Sequence, residues 1–340
     1  MTATYHGSTY TFCCEHCRDA MEDQERVFTQ WHGGEDLQPG VAAFDASLPQ
    51  GLPRNSFVLL SGQSGTRDEA VLAELAWRRL QAGEPVIAVT FLDSPTSVVQ
   101  TFIDLGWNVL PYLESGQLEV FDCFTYRLDD RERLLDRAND WNRHLAAVTE
   151  SSLTVVEDPS NVSAILSRLD RCLDAHEMHD RGAVVIDSLT ELGTLVQPVK
   201  AYDFVKNVRA EVCKARFVPV FAHASVTVEE AEFPHDLGYM VDGVVDMRFD
   251  AETVPGTLLK QLRVRKTNGV LTIPEWHTYE YTAGTGMVVF DPEAEIEKAR
   301  EQREEAGTAG EEDSDADDPV ADDDPVAEGD PTTPPDDDEN

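Results

Sequence analysis

The chain has 340 residues, 41% of them apolar, which is enough for one large α/β domain with appendages and too much for a chain disordered throughout. It carries 65 acidic residues against 27 basic ones, a formal net charge of -38; with no basic stripe to neutralise phosphates, direct binding of DNA or RNA is not expected. No apolar run reaches about eighteen residues and the start lacks a signal peptide's basic and apolar regions, so neither a membrane span nor export is expected, and the expected location is the cytoplasm. The acids are not confined to one block. Residues 301–340 hold 18 acids and one Arg303, a net of -17, leaving -21 on the rest, and only six of the 27 basic residues are lysine. Such a surface suits high-salt cytoplasm, where counterions screen self-repulsion, and a halophilic archaeal source is the expectation.

Composition divides the chain into a Cys/His/aromatic-rich start (1–34), an α/β body (35–292) and a charged end (293–340). In the body, Phe57–Ser61 reads as a buried strand, followed by a helix over Asp68–Gln81 whose Val71, Leu72, Leu75 and Leu80 form a stripe, ended by Gly83. Val86–Phe91 is the next strand, then a helix opened by Ser94-Pro95 and closed at Gly106. A strand over Leu118–Cys123, a helix capped by Asn161 and running to His176, and a strand Ala183–Ile186 ending in Asp187 follow. A helix over Tyr202–Lys214 leads into Val218–Ala222. This alternation predicts a parallel sheet with helices on both faces. From Asp242 the pattern is β only, with runs near Val244–Phe249, Leu258–Lys266, Thr278–Tyr281 and Met287–Phe290, which predicts an antiparallel extension at one sheet edge. Glu293–Glu305 is compatible with a short charged helix. From Gly307 the acid- and proline-rich composition cannot offset chain entropy, so a disordered tail is expected, with a docking arm for a basic partner as the sharper alternative.

The segment Gly40–Gly65 (GVAAFDASLPQGLPRNSFVLLSGQSG) resembles the entrance of KaiC-type members of the RecA superfamily of P-loop ATPases. VIAVTFLDSP (86–95), DLGWNV (104–109), AVVIDSLTEL (183–192), VDGVVDMRF (241–249), LRVRKTNG (262–269) and TGMVVF (285–290) continue the resemblance in order. It implies a RecA-like fold over about 40–292. A working phosphate loop needs G-x-x-x-x-G-K-S/T, in which glycines admit the phosphates, the Lys meets them and the hydroxyl holds magnesium. The register here is Gly62-Gln63-Ser64-Gly65-Thr66-Arg67-Asp68-Glu69, with Arg67, Asp68 and Glu69 at the glycine, lysine and hydroxyl positions. Two carboxylates where polyphosphate would sit oppose its binding, so ATP is expected to bind weakly or not at all. The loop then reads as a plain helix N-terminus favouring acids, or as a repurposed site.

Where the resemblance implies catalytic glutamates, this chain has Leu92-Asp93; Leu92 cannot act as a base, whereas Asp93 could partly compensate. The resemblance makes Asp187 the magnesium-binding acid, although its partner hydroxyl is replaced by Glu69; as a bland alternative, Asp187-Ser188 cap the sheet edge or the next helix. In place of a Lys and Arg two residues apart that reach a neighbouring subunit's phosphates stand Lys266 and Asn268, with Arg263 and Arg265 nearby.

At the amino terminus, Tyr5-His6-Gly7 through Cys13-Cys14-Glu15-His16-Cys17, then Ala20-Met21 and Val27-Phe28, resembles the second half of a TRASH/YHS metal-binding module, a small hairpin leading into a helix. Cys13 and Cys17, one helical turn apart, match its Cys-x-x-x-Cys. The module's upstream cysteine has no counterpart, and Cys14, His6 and His16 are candidate further ligands. Zinc wants four N/S donors, so His6 and Cys14 complete a site locally, or two chains share one, or the motif is vestigial; redox sensing by a thiol at a helix start is a variant. Cys123, Cys172 and Cys213 read as core thiols. His176 and His179, with Glu177 and Asp180, read as a solvated helix end. The leading reading is a non-hydrolysing regulatory or signalling protein, a pseudo-ATPase sensing metal or redox state through its first cysteines, with protein partners and a homo-oligomer in view. A divergent ATP-binding ATPase and a transcriptional regulator working through protein contacts are the alternatives.

Overall fold

A computed structural model describes residues 2–5, 8–22, 36–127, 139–225 and 235–298; His6, Val27-Phe28 and the acidic tail from 299 lie outside them. The chain forms two units, Met1–Pro292 and Glu293–Asn340, and in the second residues 293–298 are helical. The first opens with an antiparallel hairpin, β1 (Thr2–Tyr5) and β2 (Ser8–Thr11), and a helix over residues 15–22.

Seven parallel strands carry the rest: β3 (Phe57–Gly62), β4 (Val86–Thr90), β5 (Leu118–Asp122), β6 (Leu153–Val155), β7 (Ala183–Asp187), β8 (Val220–Ser225) and β9 (Gly243–Asp250). Beyond β9, the strands β10 (Leu259–Thr267), β11 (His277–Thr282) and β12 (Gly286–Val289) add antiparallel, giving ten strands in the order β12-β11-β10-β9-β3-β8-β7-β4-β5-β6. This is the mostly parallel RecA-like sheet with an antiparallel edge. The helices are α1 (Ala42–Ser47), α2 (Asp68–Gln81), α3 (Pro95–Asp104), α4 (Leu110–Glu114), α5 (Asp140–Thr149), α6 (Val162–Ala175), α7 (Leu189–Leu195) and α8 (Pro198–Val208), the last continued by a π turn, Arg209–Lys214.

The central strands are continuous apolar runs because both faces are covered. Along β7, Ala183 and Val185 join one apolar cluster with Val71 and Leu75 of α2 and Phe102 of α3, while Val184 and Ile186 join a second with Leu169 of α6 and Phe204 of α8. The period of two along a strand thus sorts alternate residues to opposite layers. Side-chain caps fix helix starts, as where Ser94 accepts from the Ser97 N–H and Asn161 from the Ala164 N–H. At the strands' amino ends, buried Asp242 accepts from the Phe57 N–H at 3.1 Å, Arg209 at 2.8 Å and Lys214 at 2.9 Å, which holds its carboxyl below the usual range despite burial.

The parallel registers bring the other ends level. Thr90 pairs with Asp187 and Gly62 with Ser225, so the chain leaves β3, β4, β7 and β8 along one edge, where open α/β sheets place their ligands.

Candidate functional site

The loop after β3 is held by its own atoms. The Thr66 N–H and hydroxyl both bond the Gln63 carbonyl, at 3.1 and 2.8 Å, and the Gln63 side-chain oxygen accepts from the Phe249 N–H at 2.9 Å. Tyr279 donates its phenol to the carbonyl of buried Thr66. Arg67, where the phosphate-loop pattern has its second glycine, has φ 63° and ψ 41°. That left-handed conformation explains why the pattern favours glycine, and an arginine there costs about 1–2 kcal/mol. Its guanidinium lies 5.4 Å from the Tyr281 ring centroid and 3.6 Å from Glu69. Ser64 and Gly65 are exposed at the tip.

Two acids open α2. Glu69 accepts its own backbone N–H, although burial and then the neighbouring Asp68 raise its pKa overall. The helix start therefore already faces an anion, the protein's own. Asp68, at the lysine position, points to β8: its Oδ2 lies 2.7 Å from Nε2 of His223, whose Nδ1 is 3.2 Å from Oδ1 of Asp187. The imidazole is 2% exposed. Burial opposes its charge, but the hydrogen bond to Asp187, the close ion-pair contact with Asp68 and the negative charge of both carboxylates outweigh that and lift its pKa to about 9. At neutral pH an imidazolium thus ties the lysine-position acid to the acid expected to hold magnesium.

Beside this bridge, Glu69, Asp93 and Asp187 line a cavity of about 50 Å³ whose other walls include Leu72, Ala76, Val98 and Phe102. That is room for a few waters and well short of the roughly 300–1,000 Å³ of small-molecule pockets. Asp93, raised by burial and then by the charge of Asp187, is held by the Thr90 hydroxyl, which donates to the Asp93 carbonyl at 2.7 Å and accepts its N–H at 3.2 Å. Leu92 turns outward, 40% exposed. Ser188 caps α7, accepting the Glu191 N–H, while Asp187 serves the bridge.

Lys266 is not brought to this site. It lies level with Val244, near the start of β9, and its ammonium donates to the carbonyls of Gly238 and Val241 at 3.0 and 2.8 Å. Arg263 and Arg265 both pair with Asp246, at 2.8 and 3.0 Å. Sequence reasoning missed His223. Its only signal is a basic side chain inside the otherwise small and apolar VFAHAS strand, and its partners are 155 and 36 positions away.

At the amino terminus the sulfurs of Cys13, Cys14 and Cys17 gather, with Cys13–Cys17 3.3 Å, Cys14–Cys17 3.7 Å and Cys13–Cys14 3.9 Å apart. Tetrahedral zinc–thiolate sites put sulfurs about 3.8 Å apart, so the three fit three corners. Among the described residues His16 does not join them. Hydrogen bonds with Cys13 and Cys14 push the Cys17 thiol up to about 11, while the Cys17 amide and thiol lower Cys14. No helix among the described residues is long and apolar enough to cross a membrane.

Residues 37–294 match the family model described as ATPase: KaiC. UPF0273 proteins of Thermotoga maritima and Methanopyrus kandleri are 25% and 27% identical to this chain, over 76% and 78% of it and 96% of each relative. The crystal structure of a KaiC-like protein from Pyrococcus horikoshii shares the fold with a TM-score of 0.57 at 16% identity, over 75% of this chain and 99% of that one. From the lead-in strand to the last hairpin the motifs, the strand order and the family model cover the same residues, and the chain belongs to the KaiC family of ATPases.

Proposed function

We propose that this KaiC-family chain is a pseudo-ATPase, a regulatory protein that works through protein contacts without hydrolysing nucleotide. The observation carrying the reading is the Asp68–His223–Asp187 bridge. In a working loop a lysine charge and a magnesium ion face the phosphates; here a carboxylate takes the lysine's place, and the magnesium-binding acid is spent on an imidazolium. Leu92 removes a base, and Glu69 removes the hydroxyl ligand and turns a second negative charge toward the helix start. Binding, metal placement and water activation are affected together, so one repair does not restore turnover. The three amino-terminal thiols support a sensor of metal or redox state in the same chain. Zinc, held by Cys13, Cys14 and Cys17 with a fourth donor from elsewhere, would supply a structural crosslink there.

The test is equilibrium binding and turnover of MgATP at high salt, for the parent and for Arg67→Gly/Asp68→Lys/Glu69→Thr. The parent is expected to show neither binding at micromolar nucleotide nor turnover, and the triple variant to gain binding while hydrolysis stays low because Leu92 remains. Robust hydrolysis by the parent, abolished by Asp187→Ala, would identify a divergent enzyme instead.

A further inference from the structure

On the far side of the sheet, three side chains of different chemistry converge. Glu119 of β5 projects to the same face as Phe121, toward α6, which presents Cys172 and its C-cap residue His176 one helical turn apart. The Cys172 thiol donates to Oε2 of Glu119 at 2.9 Å, and Nε2 of His176 lies 2.9 Å from the same oxygen. One donor atom from each residue lies within 4.8 Å of the other two. The other carboxylate oxygen, Oε1, accepts from the Thr154 hydroxyl at 2.8 Å, so Oε2 is the one left for the cluster. The helix end that reads in sequence as solvated is therefore half wrong. His179 does turn to the surface, beside Arg216 at 3.2 Å, but His176 turns inward.

We propose that Glu119, Cys172 and His176 form a transition-metal site of the zinc class. The donors are a thiolate, an imidazole and a carboxylate, a set that selects zinc or cobalt over magnesium or calcium, because the sulfur is soft and the nitrogen borderline. Three protein ligands leave a fourth position for water or an exogenous ligand. With metal–sulfur bonds of about 2.3 Å and metal–nitrogen and metal–oxygen bonds of about 2.0 Å, tetrahedral geometry separates neighbouring donors by roughly 3.3–3.5 Å. The observed 2.9 Å contacts therefore need to open by only about half an ångström, a side-chain adjustment. As the metal enters, the Cys172 proton leaves to solvent and the thiolate takes its place as ligand, while His176 binds through Nε2 as the neutral imidazole with its proton on Nδ1. Thr154 then acts from behind the ligand, fixing the carboxylate as outer partners do in metal sites. Glu119 and His176 are part exposed while Cys172 is buried, which gives the ion a way in and the sulfur shelter.

The test uses cobalt(II) as a spectroscopic probe and the full-length chain with Cys13→Ser, Cys14→Ser and Cys17→Ser, which removes the amino-terminal thiols. One cobalt per chain is expected, with a thiolate-to-cobalt charge-transfer band that disappears on Cys172→Ser. His176→Gln is expected to weaken binding at least tenfold while the native circular dichroism persists, and Thr154→Val about 10–100-fold with the band retained. Because the last two variants leave the buried thiol in place, the proposal stays testable even if Cys172→Ser does not fold. No charge-transfer band in the serine background, or a band that survives Cys172→Ser, would overturn it and leave a hydrogen-bonded structural triad.

Discussion

The His223 bridge makes a prediction about stability that is independent of nucleotide. In the folded chain the imidazole is lifted from 6.5 to about 9, so the folded state binds its proton more tightly than the unfolded state does. A raised pKa gives stability that is complete below about pH 6.5 and lost as pH climbs through about 9. At about 1.4 kcal/mol per pH unit across that window, the loss approaches roughly 3 kcal/mol. His223 is 2% exposed, so solvent and salt take little from it. The assay is urea unfolding at fixed high salt from pH 6 to 10, for the parent and for His223→Asn, with the difference between the two curves cancelling groups that titrate in both. The parent should lose about 3 kcal/mol relative to the variant across this range, and Asp68→Asn should show a smaller, earlier loss because one of the two attracting charges is gone. Parallel curves for parent and His223→Asn would refute the bridge.

Three further outcomes follow from the fold. Gly83 and Gly106 share a left-handed φ (75° and 80°), but a Cβ at Gly83 meets nothing within 4 Å whereas one at Gly106 lies 2.7 Å from the Gly284 nitrogen. Gly83→Ala should therefore cost about 1 kcal/mol and Gly106→Ala clearly more, about 2–4 kcal/mol; equal costs in chemical denaturation would show that the 106–284 contact is loose. Asp242→Asn should destabilise by about 2–4 kcal/mol, since it strips the charge partner from Arg209 and Lys214. Its depressed pKa means that this contribution is present above about pH 4 and lost as pH falls further, so the gap between parent and variant should close in acid. Removing the caps with Ser94→Ala or Asn161→Ala should cost about 1 kcal/mol each, read as a shift in the urea midpoint at constant slope.

The strands that were legible in sequence are those with two buried faces. Val86–Val89 and Ala183–Ile186 are unbroken apolar runs, and the caps at Ser94 and Asn161 mark their helices by hydrogen-bonding chemistry alone. β6 was not legible because its three residues, Leu153–Val155, are all half-buried and too few to show a period. α5 starts from Asn139 as its cap, but only Leu145 and Thr149 of its ten residues are buried, so it offers no stripe. At the site, the spacing from Gly62 to Glu69 located the loop because those residues are consecutive. His223, Tyr279 and Glu119 reach their partners through strand pairing and helix packing across more than thirty positions, and no local pattern records such a meeting. Lys266 shows the opposite limit: its motif position is plain, yet the carbonyls of Gly238 and Val241 claim its ammonium.

The hairpin at the sheet's outer edge does more than end the sheet. Glu74 of α2 accepts the Met287 N–H at 2.9 Å, Arg78 donates to the Thr285 carbonyl at 2.8 Å, and Tyr279 reaches the Thr66 carbonyl. The loop, the helix it opens and the β11–β12 ribbon are thereby geared together, although more than two hundred positions separate them in sequence. A displacement of the loop or its helix would have to break these bonds or carry the ribbon with it. Amide hydrogens of α2 and of β11 and β12 should accordingly exchange as one cooperative group, opening together or not at all.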